Sequence, residues 1–390
     1  MSSIDSAGRA EQEAEPLLIT GCYRSGTTLV EKILNMHPNV TVASQPFPVL
    51  YFLFKERFNQ TRGIHRRYPL DHLFGENAYS AKDFSSFLDT YELPAAGLGE
   101  FRARMQAYTE GLWTPEILDH LADLEPGTFL ELRDQLNRRI SWLFSSGTDK
   151  YVGGKEVLVE EYAQPLTKRG TRVVIVIRDP RAMIASLNFR ELDNLTGELR
   201  PVLYSLRAWR KSVALAITAV ARGALILRYE DVVRELESTL SRLTDYLDLK
   251  AFAENAFDQG IVDQHGRPWG GNSSFTRQHG ISRQTLNAWR ERLPETVLAF
   301  IESVCQPEMN LLGYPLETEA EERQEVLLSY RDPFPVTHRE FPANYSGEAE
   351  RLAAERHRLE LLQHGKLDAD EQRRWFISSE CWYALRSAAE

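Results

Sequence analysis

A short apolar run at residues 17–20 ends at Gly21, and a helical pattern takes over at Thr27. The loop between them keeps the spacing G-x-x-x-x-G, because its second glycine is Gly26. A glycine turn between a strand and a helix lets main-chain N–H groups and the helix N-terminus converge on an anion. Hydroxyl donors stand at Ser25, Thr27 and Thr28. We therefore predict a strand, an anion-binding loop and a helix, the first unit of a parallel fold.

The remaining apolar runs extend this unit to a whole domain. Further strands are predicted at residues 40–43, 150–154, 173–177 and 224–228, and helices at residues 27–36, 160–169, 201–222 and 231–249. Strands that alternate with helices indicate a mainly parallel sheet with right-handed crossovers. The run 173–177 is uniformly apolar, as a strand covered on both faces would be. The predicted fold class is α/β, a three-layer P-loop-like domain whose central sheet is flanked by helices.

Charge and composition exclude several classes of protein. The 390 residues include 46 basic and 56 acidic side chains, a formal net charge of −10, which argues against binding nucleic acid through bulk charge. Three cysteines without CxxC spacing favour a reducing compartment over a disulfide framework. Residues 1–15 lack the basic flank and apolar stretch of a secretory signal, and no window approaches the roughly 18 apolar residues of a membrane span. We therefore expect a cytoplasmic protein without a membrane span or a nucleic-acid partner.

The loop departs from a kinase loop at one position. Thr27 stands where a lysine would follow the second glycine, and a cation appears earlier, as Arg24. That lysine neutralises transferring phosphates in P-loop enzymes, so a kinase or NTPase fits poorly. It stays open as an alternative, because residues 173–179 could pass for a Walker B strand.

A second motif follows the most apolar predicted strand. It reads Arg178-Asp179-Pro180, with Ser186 two turns into the helix that follows. Asp179 suits the N-cap of that helix and Pro180 its first turn, so capping alone explains these two residues. Arg178 at the strand end and Ser186 in the helix could reach one anion.

The loop sequence Arg24-Ser25-Gly26-Thr27-Thr28 resembles a known signature. It is similar to the 5′-phosphosulfate loop of sulfotransferases that use 3′-phosphoadenosine 5′-phosphosulfate (PAPS). The resemblance implies that PAPS is the co-substrate, that Arg24 grips the phosphosulfate bridge, and that the loop hydroxyl and N–H groups surround it.

The second motif resembles the 3′-phosphate site of the same family. The resemblance implies that Arg178 and Ser186 hold the 3′-phosphate of the donor. It also implies that Glu230 and Asp231, in a strand-and-turn segment typical of the family, mostly cap the next helix. Arg267 lies in a glycine-rich loop where the family has its late nucleotide-binding segment, and it could meet the 3′-phosphate. An exposed arginine in a flexible loop is the alternative.

The resemblance sets the predicted domain order. Residues 1–15 are expected to be a disordered N-terminus, and residues 16–315 a sulfotransferase domain in which residues 46–150 form a mostly helical insertion on the acceptor side. Residues 316–390 are predicted to be an acidic helical C-terminal extension that serves as a lid or brace, with an interaction surface as the alternative. Its predicted docking residues are Trp375, Phe376, Trp382 and Tyr383.

Sulfuryl transfer needs cations at the bridging oxygen and a base for the acceptor's proton. Arg24 is the first choice for the leaving group. Lys155 follows the predicted strand 150–154 and resembles the strand-end lysine of the tyrosylprotein branch, which implies that it donates to the sulfuryl oxygens. A surface lysine paired with Glu156 is the alternative.

The sequence lacks the catalytic base at the position where several branches of the family have one. Those branches have a glutamate after the second strand, where this sequence has Gln45. An amide cannot accept a proton at neutral pH and could only orient the acceptor. In the cytosolic branch the base is a histidine of the middle segment, and His72 is the candidate here. Further candidates are His65, Asp71, Glu56 and Glu76. The histidines show no metal-ligand spacing, so no metal is expected.

The acceptor is not encoded in any motif. The aromatic side chains of residues 46–150 could line an apolar or sugar-stacking pocket, although large aromatics more often fill a core. The predicted activity is in-line transfer to a hydroxyl, less readily to an amine, of a carbohydrate, lipid or secondary metabolite. A non-catalytic nucleotide-binding scaffold is the second alternative, and a homodimer is left open.

Overall fold

The structure, a computed structural model, describes residues 14–65, 79–108, 114–191, 199–258, 260–262, 266–271, 273, 280–334 and 348–389. All five predicted strands form one parallel sheet in the order β2-β3-β1-β4-β5. The strands are β1 (Glu15–Thr20), β2 (Val40–Ser44), β3 (Tyr151–Lys155), β4 (Arg172–Ile177) and β5 (Leu225–Arg228). The α/β class and the parallel sheet are therefore confirmed.

Strand β1 lies at the centre of the sheet, so the loop that follows it sits between the ends of β3 and β4. Ile19 is in register with Lys155 of β3 and with Val174 of β4, and neighbouring strands lie about 4.8 Å apart. Ligands of parallel sheets bind outside the carboxyl ends of the strands. The order of the strands therefore brings the loop, Lys155 and the end of β4 to one edge.

Both faces of the sheet are covered. Leu17 and Ile19 pack into one apolar core together with Ile33, whereas Leu18 packs into the other core together with Phe54. Successive side chains of a strand point to opposite faces, so a uniformly apolar strand is what two helical layers require. The predicted three-layer arrangement is confirmed.

Helices connect the strands and fill the insertion between β2 and β3. In the first half of the chain they are α1 (Thr27–Asn35), α2 (Pro48–Thr61), α3 (Ala81–Thr90), α4 (Ala95–Ala107), α5 (Phe129–Phe144), α6 (Ala163–Thr167), α7 (Pro180–Asn188) and α8 (Val202–Val220). Most of the described residues between 46 and 150 lie in helices. Its aromatic residues Phe47, Tyr51, Phe54 and Phe58 are buried, so these four side chains belong to the core.

Helices make up more than half of the described residues that follow β5. The helices are α9 (Tyr229–Arg234), α10 (Leu236–Leu247), α11 (Glu295–Leu311), α12 (Ala320–Ser329), α13 (Glu348–His364), α14 (Ala369–Phe376) and α15 (Ser379–Ala389). Among the described helices, none combines the length and the apolar content that crossing a bilayer requires.

Two predicted helices differ from the structure. The pattern at residues 231–249 is two helices, α9 and α10, with Glu235 between them. The pattern at residues 160–169 is a 3₁₀ turn at Glu160–Tyr162 followed by the short α6. Pro165 has no N–H to donate to the carbonyl four residues earlier, so a regular α-helix cannot begin at Glu160.

The C-terminal helices dock on the domain through an apolar cluster. Phe376 and Trp382 are buried in it together with Leu385, and Trp375 is partly buried against it. Tyr383 is 62% exposed, so the prediction that it docks is wrong. Successive residues of an α-helix are turned by about 100°, which carries Tyr383 past the face on which Cys381 and Trp382 are buried.

Candidate functional site

The loop after β1 requires both of its glycines. Gly26 has a φ of 94°, in the left-handed region, and a side chain there would collide with the ring of Tyr229. A side chain at Gly21 would collide with the main-chain oxygen of Val176 on β4. The loop is therefore as tight as the sequence predicts, and it delivers the N-terminus of α1 to the edge of the sheet.

The predicted loop arginine meets the second motif. Arg24 Nε donates to Ser186 Oγ on α7 at 2.9 Å, and Arg178 Nη1 donates to the main-chain oxygen of Arg24 at 3.1 Å. Arg24 itself has a φ of 60°, which is uncommon for a residue with a side chain. The structure thus brings together Arg24, Arg178 and Ser186, which come from two motifs far apart in the sequence.

Two cations, Arg24 and Arg178, lie side by side here, the first partly buried and the second buried. Burial and the neighbouring Arg178 lower the pKa of Arg24 to about 10, and the Arg178 guanidinium stacks 4.5 Å from the ring centroid of Tyr229. Like charges removed from water repel each other, and an anion between them relieves that cost. Ser25 Oγ and Arg178 Nε are buried and have no hydrogen-bond partner among the described residues. Buried polar atoms are normally paired, so this arrangement suits an anionic ligand.

The start of α7 follows the prediction. Asp179 caps the helix by accepting a hydrogen bond from the main-chain N–H of Arg181 at 2.9 Å, and Pro180 occupies the first turn. The side chain of Arg181 is paired with Asp179 and with Glu302, each at 2.7 Å. Arg181 therefore braces the fold, which leaves Arg178 as the arginine of this motif that faces the loop.

The predicted capping role of Glu230 is wrong. Glu230 and Asp231 lie within α9 rather than ahead of it. The buried carboxylate of Glu230 instead accepts hydrogen bonds from the Asp179 main-chain N–H at 3.1 Å and from the Tyr314 hydroxyl at 2.9 Å. Burial and the nearby Asp179 raise the pKa of Glu230. Its role is to tie α9 and the segment around Tyr314, just after α11, to the start of α7.

On the other side of β1, Lys155 meets Gln45. Lys155 Nζ donates to Gln45 Oε1 at 3.3 Å, and the Gln45 main-chain N–H donates to the Lys155 carbonyl at 2.7 Å. Lys155 is only 1% exposed, so the alternative of a surface lysine is wrong. Gln45 has a φ of 45°, and this turn aims its amide at the lysine.

Burial changes the acid–base properties of this corner. It lowers the pKa of Lys155, and it raises the pKa of the adjacent Glu156. Glu156 Oε1 accepts a hydrogen bond from the Phe47 main-chain N–H at 3.0 Å. The Glu156 carboxylate thus holds the turn that carries Gln45.

Sequence reasoning missed a charged group on the second turn of α1. The buried carboxylate of Glu31 accepts hydrogen bonds from Lys32 Nζ at 2.8 Å and from Asn35 Nδ2 at 3.0 Å. Both charges act on Lys155: Glu31 favours its cationic form and Lys32 opposes it. The available signal was the pair Glu31-Lys32 in the middle of an otherwise apolar helix.

The remaining predicted residues lie apart from these groups or outside the description. Three base candidates, His72, Asp71 and Glu76, lie outside the described residues. His65 is exposed just after α2, and Arg267 is exposed in its loop. The Glu56 carboxylate is held by Arg104 through both terminal nitrogens, at 2.7 and 3.1 Å. Glu56 therefore ties α2 to α4.

Comparison with known proteins identifies the family. A family model described as "Sulfotransferase family" matches residues 16–254, more than half of the chain. The chain belongs to the sulfotransferase family. The match contains the strands of the sheet, the loop, Lys155, Arg178 and Ser186, whereas Arg267 and helices α11–α15 lie beyond it.

Individual sulfotransferases are similar to this chain only over part of its length and at low sequence identity. Carbohydrate sulfotransferase 7 of Mus musculus is 32% identical over 123 residues, 30% of this chain and 25% of that protein. Carbohydrate sulfotransferase 3 of Homo sapiens is 25% identical over 209 residues, 45% of this chain and 42% of that protein. The chain thus spans less than half the length of these relatives. The solved sulfotransferase domain from the curacin biosynthetic pathway covers 80% of this chain and 95% of its own, with 17% identity and a TM-score of 0.41.

Proposed function

We propose that this protein transfers a sulfuryl group from PAPS to a hydroxyl group of a small molecule or glycan. The observation that carries the proposal is the contact of the partly buried Arg24 with the buried Arg178, beside Ser25 Oγ and Arg178 Nε, which have no hydrogen-bond partner among the described residues. Membership of the sulfotransferase family supports it.

The chain offers separate groups for the two ends of such a donor. The loop N–H groups and the hydroxyls of Ser25, Thr27 and Thr28 would hold the 5′ side, at the positive end of α1. Arg178 and Ser186 would hold the 3′-phosphate, and Arg267 is proposed as an outer contact. A donor with two separate phosphates suits a site with two arginines better than a nucleoside triphosphate does, since a triphosphate would need the loop lysine and its metal.

The chemistry then depends on charge and alignment. PAPS supplies an activated sulfuryl group whose leaving group is a phosphate. Arg24 would stabilise the negative charge that grows on that phosphate, and Lys155 would donate to the sulfuryl oxygens. Gln45, held by Lys155, would orient the acceptor hydroxyl. We keep His72 as the candidate that takes the proton.

A carbohydrate is the first acceptor class to test. The relatives with detectable sequence similarity carry the name carbohydrate sulfotransferase, and a sugar hydroxyl needs only alignment and a base. Lipids and secondary metabolites with free hydroxyls are the next classes.

Calorimetry and a transfer assay together test the proposal. We expect adenosine 3′,5′-bisphosphate to bind in the presence of EDTA and ATP with Mg²⁺ not to bind. Radiolabelled PAPS should then label a member of a panel of sugars, lipids and phenols. Preference for ATP with Mg²⁺ would indicate a kinase or NTPase. Bisphosphate binding without transfer to any acceptor would indicate a non-catalytic nucleotide-binding protein.

Replacing the second loop glycine should damage the donor site. We expect Gly26→Ala to weaken bisphosphate binding by about tenfold or more, because a strained φ costs about 1–3 kcal/mol and the new methyl group would push against Tyr229. Isothermal titration calorimetry measures the effect. Gly63→Ala is the matched control, since Gly63 also has a positive φ, 65°, but no atom lies within 4 Å of the added carbon. Equal affinities of Gly26→Ala and the unmodified protein would contradict the proposed loop.

A further inference from the structure

Helix α8 links the donor site to the rest of the molecule. The buried indole Nε1 of Trp209 donates to the main-chain oxygen of Arg178 at 2.8 Å. Arg178 lies between the end of β4 and the start of α7. Its carbonyl therefore takes part neither in the hydrogen bonds of the sheet nor in those of the helix. Trp209 thus fixes the main chain of Arg178, while the guanidinium of Arg178 reaches the loop after β1. The position of α8 therefore bears directly on the position of Arg178.

The C-terminal helix α13 grips α8 on both sides of that tryptophan. Glu355 Oε1 accepts a hydrogen bond from Arg207 Nε at 2.7 Å, and Glu355 Oε2 lies 2.6 Å from Arg210 Nη2. All three side chains are buried. Burial opposes ionisation, but Arg210 and Arg207 lower the pKa of Glu355 to about 2. Glu355 is therefore ionised throughout the neutral range, and its single negative charge is shared by two cations next to Trp209.

Other contacts hold the C-terminal helices without Glu355. Arg358 pairs with Glu308 of α11, and Thr218 of α8 shares a hydrogen bond of 2.7 Å with Ser378. The apolar cluster around Phe376 adds to them. Removing the Glu355 carboxylate should therefore release α8 locally while α13 stays docked.

We propose that Glu355 is a positioning residue for the donor site, which acts through Arg207, Arg210 and Trp209 on the main chain of Arg178. The proposal rests on the proposed role of Arg178 at the 3′-phosphate. It assigns the C-terminal extension a part in donor binding, although that extension lies beyond the residues 16–254 that match the family. Small shifts of a binding group weaken charged contacts strongly, because the geometry of such contacts is demanding.

Two ligands and four variants, compared with the unmodified protein, test the proposal. The ligands are adenosine 3′,5′-bisphosphate and adenosine 5′-phosphosulfate, which lacks the 3′-phosphate. We expect Glu355→Gln to weaken binding of the bisphosphate by about tenfold. Trp209→Phe keeps a ring but removes the N–H, and it should weaken that binding by about fivefold, the effect of one lost hydrogen bond. Binding of the phosphosulfate should change less than about twofold in both. The double variant should bind no more weakly than Glu355→Gln alone, because both changes act along one route.

The control is Glu360→Gln on the same helix, where the carboxylate is exposed and lies 3.8 Å from His357. It should leave both affinities unchanged. Thermal melting curves show whether each variant is folded, and calorimetry gives its affinities. If Glu355→Gln does not fold, the affinities of Trp209→Phe alone test the inference. Variants that bind the bisphosphate like the unmodified protein would overturn the inference, and so would an equal loss for both ligands, which indicates general loosening. An unmodified protein that binds neither ligand contradicts the proposed function itself, and the inference falls with it.

Discussion

Arg24→Ala is expected to lower sulfuryl transfer by about a thousandfold, the size of effect seen when an arginine that stabilises transferring charge is removed. The physical reason lies in the setting of the guanidinium. It is partly buried beside Arg178, and burial together with that neighbouring charge lowers its pKa. A cation held out of water and next to another cation gains most when negative charge appears between them. The measurement is the single-turnover rate with radiolabelled PAPS.

Two further variants separate the guanidinium from the backbone. Arg24 has a φ of 60°, so Arg24→Gly removes the side chain without adding strain and should be as inactive as Arg24→Ala. Arg62→Ala is the control, because Arg62 is exposed and pairs with Asp83 at 2.9 Å. Its rate should equal that of the unmodified protein. A single-turnover rate of Arg24→Gly within about tenfold of normal would exclude Arg24 from the charge stabilisation expected of it.

The predictable part of the fold is local in sequence. Each strand is an apolar run next to a turn, and Asp179 with Pro180 marks the start of α7, so neighbouring residues suffice to place them. Pro165 is local too, because its missing N–H is enough to rule out a regular α-helix over residues 160–169. Residues 231–249 show the limit of prediction from apolar spacing. The helical spacing continues across Glu235, but one helix ends before this residue and another begins after it.

The contacts that sequence reasoning missed join distant residues. Glu230 binds the N–H of Asp179 across 51 residues, and Glu355 binds Arg207 across 148. The residues next to Glu230 in the sequence do not show which distant donor its buried carboxylate will bind. Local sequence therefore predicts only a capping role for it. Chain order did not predict the meeting of Arg24 with Arg178 either; the resemblance to a family implied only that both bind one donor molecule.

Lys155→Met is expected to lower the transfer rate by about a hundredfold, as the loss of one strong donor to developing charge does. Lys155 is buried, and its hydrogen bond to Gln45 Oε1 at 3.3 Å holds the turn after β2. The variant therefore removes a cation and releases Gln45 together. Lys82→Met, at an exposed position of α3, should leave the rate unchanged.

The pH dependence decides what Lys155 does. Burial lowers its pKa, so in the free protein it loses its proton at a lower pH than an exposed lysine, for which the pKa is about 10.4. Because kcat/KM reports the ionisation of the free enzyme, a lysine that acts as a cation makes kcat/KM fall as the pH rises through that lowered pKa. Lys155→Arg keeps the charge at every accessible pH, so its profile should lose this alkaline fall. A lysine that acts as a base produces the opposite sign, a rise over the same range, and that result would reject the donor role and make His72 unnecessary as the proton acceptor.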